Sequence, residues 1–193
     1  MRSGRWQGTM ALTEPEAGSS LSDITTTAEP TEDGYYQVQG QKIFISGGDH
    51  DGVENVVHLM LARIKGAPQG VKGISLFVVP KKRIDETGGL VNNDVVTSGI
   101  FHKLGYRGCP IAQLSIGDKN NCRGYLVGEP HSGLRYMFQM MNEARIGVGI
   151  GLLPWPQPLT MLPWTMPLLE NRDGKSRRKT LLIPPSPSLN TPM

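Results

Sequence analysis

The chain of 193 residues is long enough for one domain and part of a second. It is 38% hydrophobic and 19% charged, as expected of a globular protein, and no apolar run reaches the roughly 18 residues that a membrane span requires. The formal net charge of +3 comes entirely from residues 152–193, because fifteen basic and fifteen acidic residues balance in residues 1–151, so the charge does not indicate nucleic-acid binding.

Patterns typical of β-strands dominate the first 130 residues. A short strand around Met10 runs into a loop shaped by Pro15 and Gly18. Further on, alternating or continuous apolar runs are separated by turn signals such as Asp33-Gly34. These runs cover residues 25–29, 35–38, 41–46, 56–62, 74–79, 112–116 and 124–127. About seven short strands predict a mainly β fold, an antiparallel sandwich or barrel.

One helix is predicted after Ser132, which is a suitable N-cap residue. Its apolar side chains recur with the spacing i, i+3, i+4, i+7 and therefore share one face, which predicts packing against a core. They are Leu134, Met137, Phe138 and Met141. Three glycines, at 147, 149 and 151, weaken the helix, and Pro154 ends it.

Composition changes abruptly at about residue 152. Nine of the fifteen prolines lie in the last 42 residues, where they prevent any long helix. We predict that residues 1–130 form a β-domain, that residues 131–151 begin a helical domain, and that residues 152–193 are largely disordered.

Few residues suggest chemistry by themselves. The N-terminus, Met1–Gln7, is basic but lacks the apolar core of a secretory signal, so a cytoplasmic location is the default expectation. Cys109 and Cys122 are too few for a disulfide framework, and the four histidines lack the spacing of metal ligands. The run Gly147–Gly151 is not a dinucleotide fingerprint, because Leu152 replaces the third required glycine and a helix precedes it instead of a strand. Without a family resemblance, the residues are also compatible with a β-sandwich binding module that has no catalytic function.

The most informative segment is Met10–Ser20, with the sequence Met-Ala-Leu-Thr-Glu-Pro-Glu-Ala-Gly-Ser-Ser. Such a loop presents hydroxyls and backbone N–H groups, which suits an anionic, hydrogen-bonding ligand. The segment closely resembles the signature that opens the middle domain of acyl-CoA dehydrogenases. The resemblance continues, in the same order, through residues 40–48, 103–108, 127–134 and 140–146.

This resemblance covers about residues 3–150 and implies the middle β-domain of that family. The loop at residues 47–50 and the strand at 73–80 most resemble a subgroup acting on 3-methylthiopropanoyl-CoA and related short or branched thioesters. The family binds FAD, and Thr13 corresponds to a residue that bonds the flavin edge. The residues that the resemblance assigns to the flavin are Met10, Leu12, Thr13, Gly18, Ser19, Phe44, Ile45 and Ser46.

The resemblance further implies α,β-dehydrogenation of an acyl-CoA thioester. Ser19, Asn142 and Arg145 match positions that contact this substrate. Ser20 stands where the family has an aspartate and could replace a capping carboxylate only in part. The family's glutamate base lies in a C-terminal helical bundle that has no counterpart in this sequence, so no catalytic residue is assigned and the chain is expected to be inactive alone.

Family membership also implies partners. Electrons would pass to an electron-transfer flavoprotein or a similar acceptor, whereas an acyl-CoA oxidase would pass them to oxygen, and family members are homo-oligomeric. Because the resemblance stops near Gly151, we hypothesise that residues 152–193 are an out-of-frame translation of the helical region.

Overall fold

The computed structural model describes residues 3–151. The disordered tail predicted for residues 152–193 lies outside the described residues. Two short 3-10 helices, Leu21–Asp23 and Val71–Gly73, and one α-helix, α1 (Gly133–Gly151), accompany the strands. The strands are β1 (Trp6–Ala11), β2 (Thr27–Pro30), β3 (Tyr36–Ser46), β4 (Asn55–Ile64), β5 (Ile74–Pro80), β6 (Lys82–Ile84), β7 (Leu90–Asn92), β8 (Val95–Ile100), β9 (Ile111–Ile116) and β10 (Arg123–Leu126).

Five strands close into a small barrel. β4 pairs with β5, β5 with β10, β10 with β3, β3 with β2, and β2 with β4 again. β1 extends the sheet beside β4, and β9 and β8 extend it beside β3. The prediction of a mainly β fold followed by one helix is therefore confirmed.

Two details of the predicted fold were wrong. Residues 3–151 form ten strands, whereas about seven were predicted. Three strands show no clear pattern in the sequence, because β6 and β7 have only three residues each and β8 is interrupted by Ser98 and Gly99. The sheet is mixed instead of antiparallel, since β1 and β2 both run parallel to β4. Parallel pairing joins segments that are distant along the chain, and side-chain alternation carries no information about strand direction.

The core lies in two layers. One cluster joins the barrel strands to β8 and β9 and includes Phe77, Val38 and Leu114. A second cluster lies between the sheet and α1, where Met137 is 1% exposed. The first residue of α1, Gly133, touches β5 so closely that a Cβ atom there would lie 2.5 Å from the backbone of Ser75.

Helix α1 differs from the prediction at one of the four residues expected to face the core. Phe138, expected to face the core, is 47% exposed. The helix runs through Gly147 and Gly149 to Gly151, the last residue that the structure describes, although glycine disfavours the helical conformation. No helix among residues 3–151 is long and apolar enough to cross a membrane. Both cysteines are free thiols, as expected.

Candidate functional site

An apolar groove of about 800 Å³ lies between the sheet and the half-buried Met140 and Met141 of α1. Its walls come from the ends of β1 and β3, the middle of β4 and β5, and two methionines of α1. The lining residues are Gly8, Thr9, Met10, Leu12, Thr13, Phe44, Ile45, Ser46, Val57, Leu59, Val78, Met140 and Met141. Large apolar side chains therefore surround a few hydroxyl groups, an arrangement common in sites for small molecules and cofactors.

The groove brings together six of the eight residues assigned to the cofactor from the sequence: Met10, Leu12, Thr13, Phe44, Ile45 and Ser46. The remaining two, Gly18 and Ser19, lie on an exposed part of the loop after β1 and do not line it. The residues assigned to the substrate on α1, Asn142 and Arg145, are exposed and hydrogen-bonded to each other at 3.0 Å. They follow directly after the groove residue Met141.

A β-bulge in β3 shapes one wall of the groove. Lys42 pairs with Leu114 and Ile45 pairs with Ala112, so β3 contains one residue more than β9 over this interval. The bulge lets both Lys42 and Ile45 be buried although they are three residues apart, which simple alternation forbids. Phe44 lies within the bulge at φ +61°, with its side chain 57% exposed.

A buried ion pair between Lys42 and Glu14 fixes the loop after β1. The ammonium group of Lys42 donates to the carboxylate of Glu14 at 2.8 Å and to the carbonyl of Leu12 at 3.0 Å. The side chains of the pair are 0% and 2% exposed. Glu14 also accepts hydrogen bonds from the backbone and hydroxyl of Thr25 and from the backbone of Thr26. These contacts fix the backbone immediately beside the groove.

A further backbone hydrogen bond ties the same loop to the bulge. The N–H of Ile43 donates to the carbonyl of Thr13 at 2.9 Å. Since Thr13 lines the groove, its position depends on the bulge in β3 as well as on the ion pair. The loop and the bulge therefore act as one structural unit.

Burial and pairing set the charge states of this pair. Burial acts to raise the pKa of Glu14, but the charge of Lys42 and the hydrogen bonds from Lys42, Thr26 and Thr25 outweigh it, so the pKa lies below its usual value. For Lys42, burial outweighs the attraction of Glu14 and lowers the pKa to about 8. Both groups are charged at neutral pH.

A buried histidine lies under the β1 wall of the groove. The hydroxyl of Thr9 and Nδ1 of His58 are 2.7 Å apart, and these residues are register partners in β1 and β4. Burial lowers the pKa of His58 to about 4, although the carboxylate of Asp49 opposes this shift. His58 is therefore neutral at physiological pH and supports the wall without charge.

Ser20, which stands where the family that the sequence resembles has an aspartate, makes its own polar contacts. Its hydroxyl donates to Asp23 at 2.7 Å and lies 3.0 Å from the hydroxyl of Ser22. The segment after Ser19 is thus organised through the adjacent 3-10 helix instead of through a carboxylate at position 20.

Several functional elements were missed in the sequence. The Glu14–Lys42 and Thr9–His58 pairs join residues 28 and 49 positions apart, and no local pattern links them. One signal was present for Lys42, since a lysine at an inward-facing position of a strand requires a buried partner. The groove residues of β4, Val57 and Leu59, alternate with buried neighbours, but the sequence does not say which face of that strand is the site.

A second cavity of about 550 Å³ lies between the β3–β4 loop and β8. Two of its carboxylates, those of Asp49 and Glu54, already have side-chain partners. Asp49 accepts hydrogen bonds from Lys81 and Thr97, and Glu54 pairs with Arg5 at 2.8 Å. Among the described residues, no cluster of histidine, cysteine or carboxylate side chains could hold a metal ion.

Comparison with known proteins identifies the family to which the sequence is similar. Residues 9–118 match the family model described as "Acyl-CoA dehydrogenase, middle domain". The chain is 53% identical over 148 residues to 3-methylmercaptopropionyl-CoA dehydrogenase from Ruegeria pomeroyi, covering 76% of this chain and 25% of that protein. It is 46% identical over 157 residues to a butyryl-CoA dehydrogenase from Syntrophomonas wolfei, covering 78% and 26%.

A solved structure agrees with these relatives. An acyl-CoA dehydrogenase from Bacillus anthracis, complexed with FAD, superposes with a TM-score of 0.56 at 28% identity, covering 74% of this chain and 22% of that one. The chain therefore spans about a quarter of the length of the curated relatives it matches. The resemblance to the family found in the sequence is confirmed. The relative from Ruegeria pomeroyi carries the name of the subgroup that the sequence indicated, since methylmercaptopropionyl and methylthiopropanoyl name the same acyl group.

Proposed function

Because the chain belongs to the acyl-CoA dehydrogenase family, we propose that its groove holds the isoalloxazine ring of FAD and one side of an acyl-CoA thioester. The observation that carries this proposal is the convergence of six motif-assigned residues on one apolar groove. They come from two separate segments, residues 10–13 and 44–46, and only the fold brings them together.

The groove fits a flavin in size and chemistry. A volume of about 800 Å³ accommodates a planar tricyclic ring, and the apolar side chains suit its faces and its dimethylbenzene edge. The hydroxyls of Thr13 and Ser46 suit its polar edge, and Thr13 would tune the ring electronically by hydrogen bonding. Phe44 and Ile45 would flank the ring from β3. The chemistry that FAD supplies when bound is acceptance of a hydride from the β-carbon of the thioester.

The substrate proposed for this site is a short or branched acyl-CoA, such as 3-methylthiopropanoyl-CoA. Ser19 is a proposed contact with the substrate, and the exposed pair Asn142 and Arg145 are the proposed contacts with its CoA portion. Arg145 offers a cation for phosphate groups, and Asn142 orients its guanidinium by the 3.0 Å hydrogen bond. We assign residues 131–151 to the start of the helical domain that would cover this side of the groove.

The described residues supply binding but not proton transfer. No titratable side chain is among the residues of 3–151 that line the groove. Among these lining residues we therefore assign none to the role of the family's glutamate base. For the whole enzyme we propose an electron-transfer flavoprotein or a similar protein as the electron acceptor, and homo-oligomeric assembly.

An absorption spectrum of the purified full chain, after incubation with FAD and desalting, tests the proposal. Retained flavin bands are the expected result and would justify an assay with short acyl-CoA thioesters. A folded protein that elutes without colour and shows no saturable binding in a fluorescence titration with FAD would refute it for this chain.

Two tryptophan substitutions locate the binding site. Leu59→Trp adds a bulky ring inside the groove and should weaken FAD binding at least tenfold, a loss of about 1.4 kcal/mol. Val96→Trp adds the same ring on β8 at an exposed position outside the groove and should leave binding unchanged. Equal effects of the two variants, both folded by circular dichroism, would place the flavin elsewhere.

A further inference from the structure

Phe44 adopts a backbone conformation that a bulky aromatic residue rarely takes. Its φ of +61° lies in the left-handed region, where the Cβ atom crowds the backbone. Such residues persist where their surroundings determine the conformation, and they concentrate at binding sites. The ring is 57% exposed and lines the groove, so burial does not explain why the strand keeps it there.

A second phenylalanine contacts this ring. The ring centroids of Phe44 and Phe101 are 4.8 Å apart, with an interplanar angle of 41°. Phe101 itself is not among the groove residues. The other aromatic pair among residues 3–151, Tyr36 and Phe77, packs in the barrel core, whereas Phe44 is exposed and Phe101 is half-buried.

The backbone fixes the two rings relative to each other. The N–H of Phe101 donates to the carbonyl of Ile111 at 3.0 Å, and Ile111 is the register partner of Ser46. Ala112 pairs with Ile45 on one side and with Ile100 on the other. One strand, β9, therefore holds both phenylalanines through their sequence neighbours, and the sheet sets the distance between the rings.

We propose that Phe101 is a positioning residue that holds the ring of Phe44 in the groove wall. The inference rests on the proposed function for its ligand, the flavin, but the contact between the rings is a property of the free protein. Phe101 packs against Phe44 and so limits its rotation, which leaves a preformed aromatic surface for a planar ligand. Preorganisation of this kind raises affinity because less side-chain entropy is lost on binding.

Phe101→Leu tests whether the aromatic ring of Phe101, and not only the space that its side chain fills, holds Phe44 in place. Leucine preserves an apolar side chain of similar size but removes the ring, so Phe44 should rotate more freely. Since Phe44 would then have to be ordered when the ligand binds, FAD affinity should fall about twofold to tenfold. Phe101→Tyr retains the ring and should restore affinity to near the wild-type value. Phe138→Leu, at an exposed phenylalanine outside the groove, is the matched control and should change nothing.

A ligand-free measurement examines the contact itself. The full chain carrying 4-fluorophenylalanine at position 44 should give a ¹⁹F resonance displaced by the ring current of Phe101. Phe101→Leu should move this resonance toward that of a free, exposed ring, whereas Phe138→Leu should leave it in place. A resonance that does not respond to Phe101→Leu would overturn the proposal.

The two measurements separate the possible failures. If the resonance moves but Phe101→Leu binds FAD as tightly as the wild type, Phe101 does not position a binding surface and the proposal is wrong. If the wild type binds no FAD, the proposed function fails, and the ¹⁹F result alone decides whether Phe101 holds Phe44. If the resonance moves and affinity falls for leucine but not for tyrosine, the proposal stands.

Discussion

Breaking the buried Glu14–Lys42 pair should strongly destabilise the protein. Lys42→Met leaves the carboxylate of Glu14 buried without its counter-charge, because that side chain is only 2% exposed. Losing one partner of a buried pair usually costs about 3–5 kcal/mol. Three hydrogen bonds to Glu14, from Thr25 and Thr26, remain in this variant. We therefore expect a loss at the lower end, about 3 kcal/mol.

The chain contains a matched control for the same substitution. Lys65 pairs with Glu29 at 2.9 Å, but these side chains are 68% and 55% exposed. Lys65→Met should cost less than about 1 kcal/mol, since exposed ion pairs contribute little. The assay is urea unfolding of the full chain at pH 7, followed by far-ultraviolet circular dichroism.

A double-mutant cycle tests the reasoning further. In Glu14→Gln/Lys42→Met, neither buried charge remains, so the double variant should lose clearly less stability than the sum of the two single variants. The argument would be refuted if Lys42→Met cost no more than Lys65→Met, or if the two single losses simply added.

Three further predictions concern pH, thiol chemistry and packing. The pKa of His58 is about 4 in the folded protein, below its ordinary value of 6.5, so the unfolded chain binds the proton more tightly. Stability should therefore be full above pH 6.5 and fall by up to about 3 kcal/mol as the pH is lowered to 4, and His58→Gln should flatten this part of a urea-unfolding pH series. Cys109 should react with Ellman's reagent in the folded chain, whereas Cys122, which is buried with its pKa raised to about 12, should react only in denaturant; two fast thiols per chain would contradict this. Gly133→Ala places a Cβ atom 2.5 Å from the β5 backbone and should lower the free energy of unfolding by about 1–3 kcal/mol. Gly147→Ala meets no atom within 4 Å and should stabilise α1 by about 1 kcal/mol. Urea midpoints that do not differ in this order would show that the helix packs differently.

Local patterns in the sequence predicted the kinds of elements correctly. The turn at Asp33-Gly34 joins β2 and β3 as expected, with Gly34 at φ +79°. The apolar run at residues 74–79 is a buried strand, and the helix begins directly after Ser132. These turns, strands and helix starts depend on neighbouring residues, so a few consecutive positions of the sequence are enough to predict them. β6, β7 and β8 were missed because each is too short or too interrupted to show a period.

Motif order predicted the family and most of the groove, and six of eight assigned cofactor residues converge on it. The sequence alone could not place Gly18 and Ser19 outside the groove, since a loop's course after β1 depends on contacts with distant residues such as Lys42. It also could not reveal the bulge at Phe44.

The sequence by itself thus determined the mainly β class, the single helix and the family. The tertiary structure decided the parallel pairing of β1 and β2 with β4, the partners of Glu14 and His58, and the contact between Phe44 and Phe101. The physical reason is the distance along the chain over which each interaction acts. Propensity and periodicity act over a few residues, whereas the charge, register and stacking of these groups depend on partners 28 to 57 positions away.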